Sequence, residues 1–400
     1  MLGGVWLAYF SFGIVIGGIP PLIEPISEDL GLSRSAMGTL LGSWPLVYIV
    51  VSIPVGSLID RFSLRSTIAF GTTLVALSGF LRAVAIDYPT MLVAVMVFGL
   101  GGPFISIGAP KLLSIWFDHE QRGRAMGIYL MAPAVGGMLV LAVSNSILMP
   151  LLDYSWRWTL VIVSGTAFIS VLIWLCVARE DPGYTLMKNK STRIILRNIP
   201  RTSNIKIYPT LMKNNSIRII LLLVLGMFLY HGAIGNWMPE ILSDKGMSPS
   251  RASLLSAIPV AMGAIGTVII PQIATPNRRR LMLSICFLVT GFASWVLAKA
   301  QGPLLLSALG LLGFSSRGLM PVIMLILIDT VGPGLTGAAG GLFFTFGEIG
   351  GVAGPVFLGL SSDLMGGFNN GIFLLSALCF FLGLLSMTLK PPAQNKFSKV

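Results

Sequence analysis

The chain of 400 residues is 54% hydrophobic and only 10% charged, whereas an ordinary soluble domain carries about 25% charged residues. This composition cannot cover a water-exposed surface, so it excludes a soluble globular protein and indicates a membrane protein. The net charge of +12 would suggest a nucleic-acid partner in a soluble protein, and its meaning here depends on where the basic residues lie.

Apolar segments of roughly 20 residues, the length of a helix that crosses a bilayer, follow one another along the chain. The segments are 2–23, 34–57, 66–86, 90–113, 123–148, 157–178, 217–240, 250–272, 280–299, 303–328, 336–361 and 369–389. They predict an all-α membrane protein with twelve transmembrane helices. The first segment lacks the basic region and the cleavage site of a signal peptide, so we interpret it as the first transmembrane helix.

A polar central segment separates six predicted helices from the next six. We expect an N-terminal six-helix bundle at 1–178, a central loop at 179–216, a C-terminal six-helix bundle at 217–390 and a tail at 391–400. Two nearby alignments of the halves pair Gly99 with Gly310, Pro110 with Pro321, Asp118 with Asp329, Ser33 with Ser248 and Leu40 with Leu255. A parallel repeat of this kind is typical of transporters that bind substrate near the bilayer midplane between the halves and work by alternating access.

Most basic residues lie in the predicted loops on the side of the chain termini, and many lie in the central loop. The positive-inside rule therefore predicts cytoplasmic termini, a cytoplasmic central loop and a cytoplasmic tail in a multi-pass protein of the plasma membrane. The high net charge then reflects contact with anionic lipid headgroups, so we expect no nucleic-acid partner.

The turn between the second and third predicted helices contains a recognisable motif. It reads Gly56-Ser-Leu-Ile-Asp60-Arg61-Phe-Ser-Leu-Arg65. This motif resembles the signature loop of the major facilitator superfamily, from which it departs at Ser63, where the family favours glycine, and at Leu64, where it favours a basic residue. The resemblance implies the fold of that family, with two six-helix bundles.

The resemblance also implies a conformational brace. In the family the aspartate of the loop pairs with basic residues of the next cytoplasmic turn and with the start of the eleventh helix, where a carboxylate suits the positive end of the helix dipole. Asp60 would then face Arg122 or Arg124. The predicted gating residues are Gly56, Asp60, Arg61, Arg65, Arg122 and Arg124.

Glycine and proline mark two further helices. The fifth helix contains Ala132-Pro133-Ala-Val-Gly136-Gly137, which resembles a Gly-Pro motif that the family associates with antiport. Close packing of helices explains such glycines equally well, and both interpretations stay open. For packing we predict Pro133, Gly136, Gly137, Gly354 and Pro355.

Two charges fall in the middle of predicted helices. Arg317 lies at the centre of the tenth helix, where the repeat pairs it with Ser106, and Glu348 lies at a similar depth in the eleventh. An arginine at this depth costs about 2.5–3.5 kcal/mol on insertion scales, so it needs a partner or a use. Either Arg317 and Glu348 neutralise each other, or Arg317 recognises an anionic substrate such as a carboxylate while Glu348 is a coupling residue.

The resemblance implies that the first, fourth, seventh and tenth helices line a central cavity, and further polar residues fall on these helices. Lys111, late in the fourth helix, either extends to the headgroups or supplies a second cation. His231, in the seventh helix, is a candidate for proton coupling or a neutral hydrogen-bonded histidine. We predict the following substrate-binding residues: Arg317, Lys111, His231, Tyr230, Asn236, Trp237, Tyr9 and Ser11.

The sequence contains none of the nucleotide-binding, zinc-binding or Cys-x-x-Cys motifs of enzymes, so we expect a transporter without cofactor or metal ion. The favoured function is secondary active transport of a small organic or inorganic anion, similar to the carboxylate, oxalate/formate or cyanate/nitrate branches of the superfamily, by proton-linked transport or exchange. The alternative is a proton-driven exporter of hydrophobic or cationic compounds, and a channel or transceptor stays open. We expect a monomer in the lipid bilayer, with a small-molecule substrate and protons as the candidate coupling ion.

Overall fold

The computed structural model describes residues 1–59, 62–117, 119–179, 207–331 and 336–389, without the side chains of residues 53, 57, 114, 119, 120, 122, 123, 207, 208 and 336–338. In this part of the chain, twelve helices are long and apolar enough to cross a membrane. Their bounds are α1 Leu2–Ile16, α2 Arg34–Ile59, α3 Leu64–Ala83, α4 Tyr88–Trp116, α5 His119–Val143, α6 Trp156–Val177, α7 Asn215–Ser243, α8 Pro249–Ile273, α9 Arg279–Lys299, α10 Gly302–Val331, α11 Thr336–Met365 and α12 Phe368–Ser386. The described residues contain no strand, and the predicted all-α fold with twelve membrane spans is confirmed.

Helices α1 and α5 end well before the apolar segments 2–23 and 123–148 that predict them, whereas the other helices end within a few residues of their segments. Helix α1 ends at Ile16 and is followed by a 3-10 turn at Pro20–Leu22 and a short helix at Ile23–Leu30. Adjacent prolines start this turn because they lack the N–H that continues a helical ladder. Helix α5 ends at Val143 in a π turn, Ser144–Leu148. Apolar length alone therefore does not locate these ends.

Backbone contacts divide the chain into two compact units. Unit 1 comprises Met1–Leu22 and the described part of Leu46–Asn204, and unit 2 comprises Ile23–Pro45 and the described part of Ile205–Val400. The segment Ile23–Pro45, which we expected in the N-terminal bundle, thus packs in unit 2, and α2 contributes residues to both units. The bundle limits at 1–178 and 217–390 stay a prediction.

The two units use the same helix pairs. In unit 1, α1 packs on α5 and α6, and α3 packs on α4 and α6. In unit 2, α7 packs on α11 and α12, and α9 packs on α10 and α12, which are the corresponding helices in chain order. This recurrence is the structural counterpart of the repeat seen in the sequence.

Glycine residues allow the helices of two of these pairs to pack closely. A Cβ atom on Gly136 of α5 would overlap the carbonyl oxygen of Phe10 in α1. In the corresponding pair, a Cβ on Gly354 of α11 would overlap the carbonyl oxygen of Leu229 in α7. Small residues at these points let the backbones approach closely, as in other membrane helices.

The other predicted packing residues lie at the same two interfaces. The Pro133 carbonyl faces Gly13 of α1, and a Cβ on Gly137 would make only an ordinary contact, 3.7 Å from the carbonyl oxygen of Gly13. The carbonyl of Pro355 accepts a hydrogen bond from the indole N–H of Trp237 at 3.0 Å.

Candidate substrate site

Arg317 lies at the middle of the 30-residue helix α10. Its side chain is exposed, although its chain neighbours Ser316 and Gly318 are buried. Among the residues that the structure describes, none pairs with its guanidinium through an ion pair or a hydrogen bond. The charge therefore borders accessible space at the centre of a membrane helix.

His231 of α7 lies beside this arginine. Its imidazole is close enough to Arg317 for the positive charge to act on it, and it contacts the backbone of Ser316. The Nε2 atom is buried and has no hydrogen-bond partner among the described residues. Buried polar atoms are nearly always satisfied, so this nitrogen beside Arg317 has unused hydrogen-bonding capacity, although it has no accessible surface.

Glu348 does not neutralise Arg317. The half-buried carboxylate lies near the middle of α11, and one of its oxygens points along its own helix, 3.2 Å from where a Cβ on Gly351 would lie. In the described part of the chain no ion pair joins it to Arg317. Of the two interpretations that the sequence left open, the neutralising ion pair is not seen.

Three residues that we predicted at the site in α7 use their polar atoms in packing. The Tyr230 hydroxyl shares a 2.6 Å hydrogen bond with Ser294 of α9, and both side chains are buried. Trp237 is fully buried, with its N–H on a backbone carbonyl of α11. The Asn236 amide donates to the Gly232 carbonyl of its own helix at 2.7 Å. Of this group, only half-buried Asn236 keeps accessible surface for a ligand.

In unit 1 the predicted residues also contact the protein. The Ser11 hydroxyl is fully buried and hydrogen-bonds Ser170 of α6 at 2.6 Å, which leaves it no free surface. Half-buried Tyr9 stacks on Tyr129 with ring centroids 4.5 Å apart. Lys111 is half-buried, and its Nζ lies 3.5 Å from the Ile59 carbonyl oxygen, a long hydrogen bond near the end of α4.

Half of the six predicted gating residues lie outside the described part of the chain or lack a described side chain. This applies to Asp60 and Arg61 and to the side chain of Arg122. Arg65 donates to the Leu175 carbonyl at 2.5 Å, and Arg124 is exposed. No atom would approach a Cβ on Gly56 within 4 Å. The gating role of this loop therefore stays a prediction.

Sequence analysis missed a buried arginine in unit 1. Arg82, which falls inside the predicted segment 66–86, lies at the last turn of α3 and is 2% exposed. Its guanidinium donates to the Val15 carbonyl at the end of α1 at 2.9 Å and lies 5.3 Å from the ring centre of Phe98. Carbonyls at a helix end lack intrahelical donors, which explains this contact.

A second missed feature is the cluster around Arg34, at the start of α2 in unit 2. Arg34 forms an ion pair with Asp244 at 2.6 Å and donates to Ser362 at 2.8 Å, and its guanidinium lies 4.6 Å from the ring centre of Phe368. An acidic cavity of about 290 Å³ adjoins it, lined by Ile23, Glu24, Ser27, Glu28, Leu32, Arg34, Glu240, Ser243 and Asp244. Nothing in the sequence pairs residues so distant along the chain.

The third missed feature is an ion pair between Arg279, at the start of α9, and Asp329, near the end of α10. The loop before α9 is basic, with Arg278, Arg279 and Arg280, and lacks the aspartate of the signature motif. The repeat, which pairs Asp118 with Asp329, was the signal available for this carboxylate.

Comparison with known proteins gives the family. A family model described as Major Facilitator Superfamily matches residues 5–355. The chain belongs to the major facilitator superfamily. As a member of the major facilitator superfamily it is a multi-pass membrane transporter that takes a small-molecule substrate, and it is not an enzyme, as the sequence predicted.

Relatives in the superfamily are similar along most of their length at low identity. A hexuronate transporter of Bacillus subtilis (strain 168) is 23% identical over 394 residues, which are 93% of this chain and 89% of the relative. Probable anion transporter 4, chloroplastic, of Arabidopsis thaliana is 25% identical over 395 residues, 91% and 72% of the two chains. The crystal structure of a D-xylose-proton symporter has a TM-score of 0.76 at 17% identity, with 99% and 98% covered. That structural likeness shows the fold alone.

Proposed function

We propose that this superfamily member is a secondary active transporter of a small anion, with carboxylates as the first class to test and Arg317 as the anion-binding group. The observation that carries the proposal is Arg317 at the centre of α10, an exposed residue whose guanidinium pairs with no carboxylate among the described residues. A charge at this depth is costly, so a binding role gives a reason for it to be there.

The chemistry of the neighbouring groups agrees with this proposal. A guanidinium presents two parallel N–H donors that match the two oxygens of a carboxylate. His231 lies beside it with an Nε2 atom that has no partner among the described residues, and a turn of its ring would let this buried nitrogen reach a bound anion. A hexuronate is a carboxylate with several hydroxyl groups, and the B. subtilis relative is named for it. We leave Ser11, Tyr230 and Trp237 out of the proposed site because packing occupies their polar atoms.

Exchange in proteoliposomes tests the proposal. We expect vesicles preloaded with D-glucuronate, oxalate or nitrate to drive counterflow of the same labelled anion, which a channel does not do. Arg317→Gln should reduce this counterflow by roughly 100-fold, the upper end for loss of a hydrogen-bonded charge. Arg251→Gln removes an exposed arginine at the start of α8 and is the matched control.

Two results oppose the proposal. Full anion counterflow by the Arg317→Gln variant would show that Arg317 does not bind the anion. Counterflow of a hydrophobic cation such as tetraphenylphosphonium, without any counterflow of the three anions, would instead support the exporter.

We further propose proton coupling through Glu348 or His231. Glu348 has no cation beside it in the described part of the chain, so it is free to bind and release a proton during transport. Glu348→Gln should keep anion exchange and lose accumulation driven by an imposed pH gradient. Gradient-driven accumulation that survives in both Glu348→Gln and His231→Gln would argue against both residues.

We also propose that both termini are cytoplasmic, on the basis of the basic loops, while the plasma-membrane location and the monomeric state stay predictions. A fluorescent protein fused to the C-terminus should mature and fluoresce in cells, because it folds in the cytoplasm. A fusion that stays dark while an enzyme active only outside the cytoplasm works at the same position would reverse this topology.

A further inference from the structure

Gly263 of helix α8 faces the first side-chain atoms of Arg317. A Cβ atom on Gly263 would overlap Cγ of Arg317 and would lie 3.1 Å from its Cβ and 3.3 Å from the Gly313 carbonyl oxygen. The atoms met are the first two of the side chain: Cγ moves only when the first side-chain torsion angle changes, and Cβ moves only with the backbone. The space that the Arg317 stem occupies therefore exists because residue 263 is glycine.

Neighbouring helices hold the same turn of α10. Thr267, one turn after Gly263, donates to the Gly263 carbonyl at 2.8 Å and to the Arg317 carbonyl at 3.3 Å. Ser315 shares a 2.8 Å hydrogen bond with Thr290 of α9. With the backbone and the start of the side chain held in this way, the direction of the guanidinium depends on the torsion angles that Gly263 permits.

At the corresponding positions of unit 1, the large side chain lies on the other helix of the pair. The repeat matches Tyr48 of α2 with Gly263, and it matches Ser106 of α4 with Arg317. The hydroxyl groups of Tyr48 and Ser106 are hydrogen-bonded at 2.6 Å. Unit 1 thus has a large side chain on α2 and a small one on α4, whereas unit 2 has no side chain on α8 and a large one on α10.

We propose that Gly263 is a positioning residue that sets the direction of the Arg317 guanidinium toward the anion. The proposal rests on the proposed anion-binding role of Arg317 and adds the element that orients it. A displacement at Cγ is carried along the chain to the guanidinium, and a misplacement of ~1 Å in a binding group can cost roughly 100-fold.

The first experiment measures D-glucuronate exchange by full-length protein carrying Gly263→Ala. We expect KM to rise about tenfold while the maximal rate changes less than about twofold, because the arginine is misdirected but still present. Gly310→Ala is the control, since it adds the same methyl group to α10 of this helix pair, 4.0 Å from the nearest atom, Cγ of Met262. A KM for Gly263→Ala equal to that of Gly310→Ala would overturn the proposal.

The second experiment separates positioning from simple helix packing and does not depend on the anion. Gly263→Ala should lower the Tm of the purified protein by a few degrees, because it crowds Cγ of Arg317. In an Arg317→Ala background Cγ is gone, so the same substitution should lower the Tm much less. Equal losses in both backgrounds would assign Gly263 to packing alone and refute the positioning role.

A milder variant covers the case in which Gly263→Ala does not fold. Thr267→Val removes the hydroxyl on the Arg317 carbonyl without changing shape, and we expect KM to rise about two- to threefold. An unchanged KM would contradict the idea that α8 orients Arg317. If Arg317→Gln transports D-glucuronate normally, the anion-binding role fails, whereas the Tm comparison still tests the Gly263 contact by itself.

Discussion

The helix pair α2 and α4 in unit 1 and the pair α8 and α10 in unit 2 occupy matching places in the repeat but end in different chemistry. In unit 1 the hydroxyl groups of Tyr48 and Ser106 satisfy each other, and Ser106 also donates to the Gly102 carbonyl of its own helix. In unit 2 the matching positions hold Gly263 and Arg317, whose guanidinium pairs with no residue that the structure describes.

Under the proposed role of Arg317, this difference assigns the charge that binds the substrate to unit 2. A satisfied hydroxyl pair stabilises the fold and offers little to a ligand, whereas an unpaired cation lowers stability and gains most from an anion. Lys111, the basic residue of α4, lies near the helix end and reaches the Ile59 carbonyl, so it is no counterpart of Arg317 in depth. The two units therefore share one arrangement of helices, and, if Arg317 binds the anion as proposed, anion recognition is concentrated in unit 2.

The largest expected effect comes from giving unit 2 the pair of unit 1. The double variant Gly263→Tyr with Arg317→Ser should fold, because the tyrosine fills the volume that the arginine leaves. D-glucuronate counterflow should fall roughly 100-fold, the cost of losing a hydrogen-bonded charge. Gly263→Tyr alone should have a much lower Tm than the double variant, since tyrosine and arginine then compete for one space. D-glucuronate counterflow that survives in the double variant would contradict the assignment of the anion-binding charge to unit 2.

The second prediction contrasts two arginines. Arg82→Met should lower the free energy of unfolding by roughly 2 kcal/mol, because the Val15 carbonyl loses a charged donor and methionine only refills the volume. Arg317→Met should keep or raise that free energy, since it removes a charge without a partner among the described residues. Thermal unfolding in detergent measures both. A larger loss for Arg317→Met than for Arg82→Met would reverse the assigned roles.

The fold was predictable from the sequence to within a few residues at most helix ends, because a bilayer requires long apolar helices with few charges. Arg317 and Glu348 were visible for the same reason, as charges in apolar segments. The direction in which the other polar side chains point was not predictable. Helices that are apolar all round give no amphipathic signal, so Tyr230 and Trp237 were assigned to a site although they pack between helices.

The third prediction concerns the end of unit 2 that lies far from Arg317 along the helices. Arg34→Ala removes the ion pair with Asp244, the hydrogen bond to Ser362 and the contact with Phe368. Both charged side chains of the ion pair are one-third exposed, so we expect a loss of only about 1 kcal/mol in the free energy of unfolding. Arg34→Lys should recover part of this free energy of unfolding. If the Tm does not change at low salt, the cluster contributes nothing measurable.

The smallest effect belongs to the hydroxyl pair of unit 1. Tyr48→Phe removes one donor and acceptor, and Ser106 keeps the Gly102 carbonyl at 3.2 Å, so no polar atom of this pair loses its last partner. The expected loss is about 0.5 kcal/mol in the free energy of unfolding, with D-glucuronate KM unchanged. A raised KM would mean that the matching position of unit 1 also acts on the anion. The division of roles between the two helix pairs would then be wrong, even if every prediction for Arg317 held.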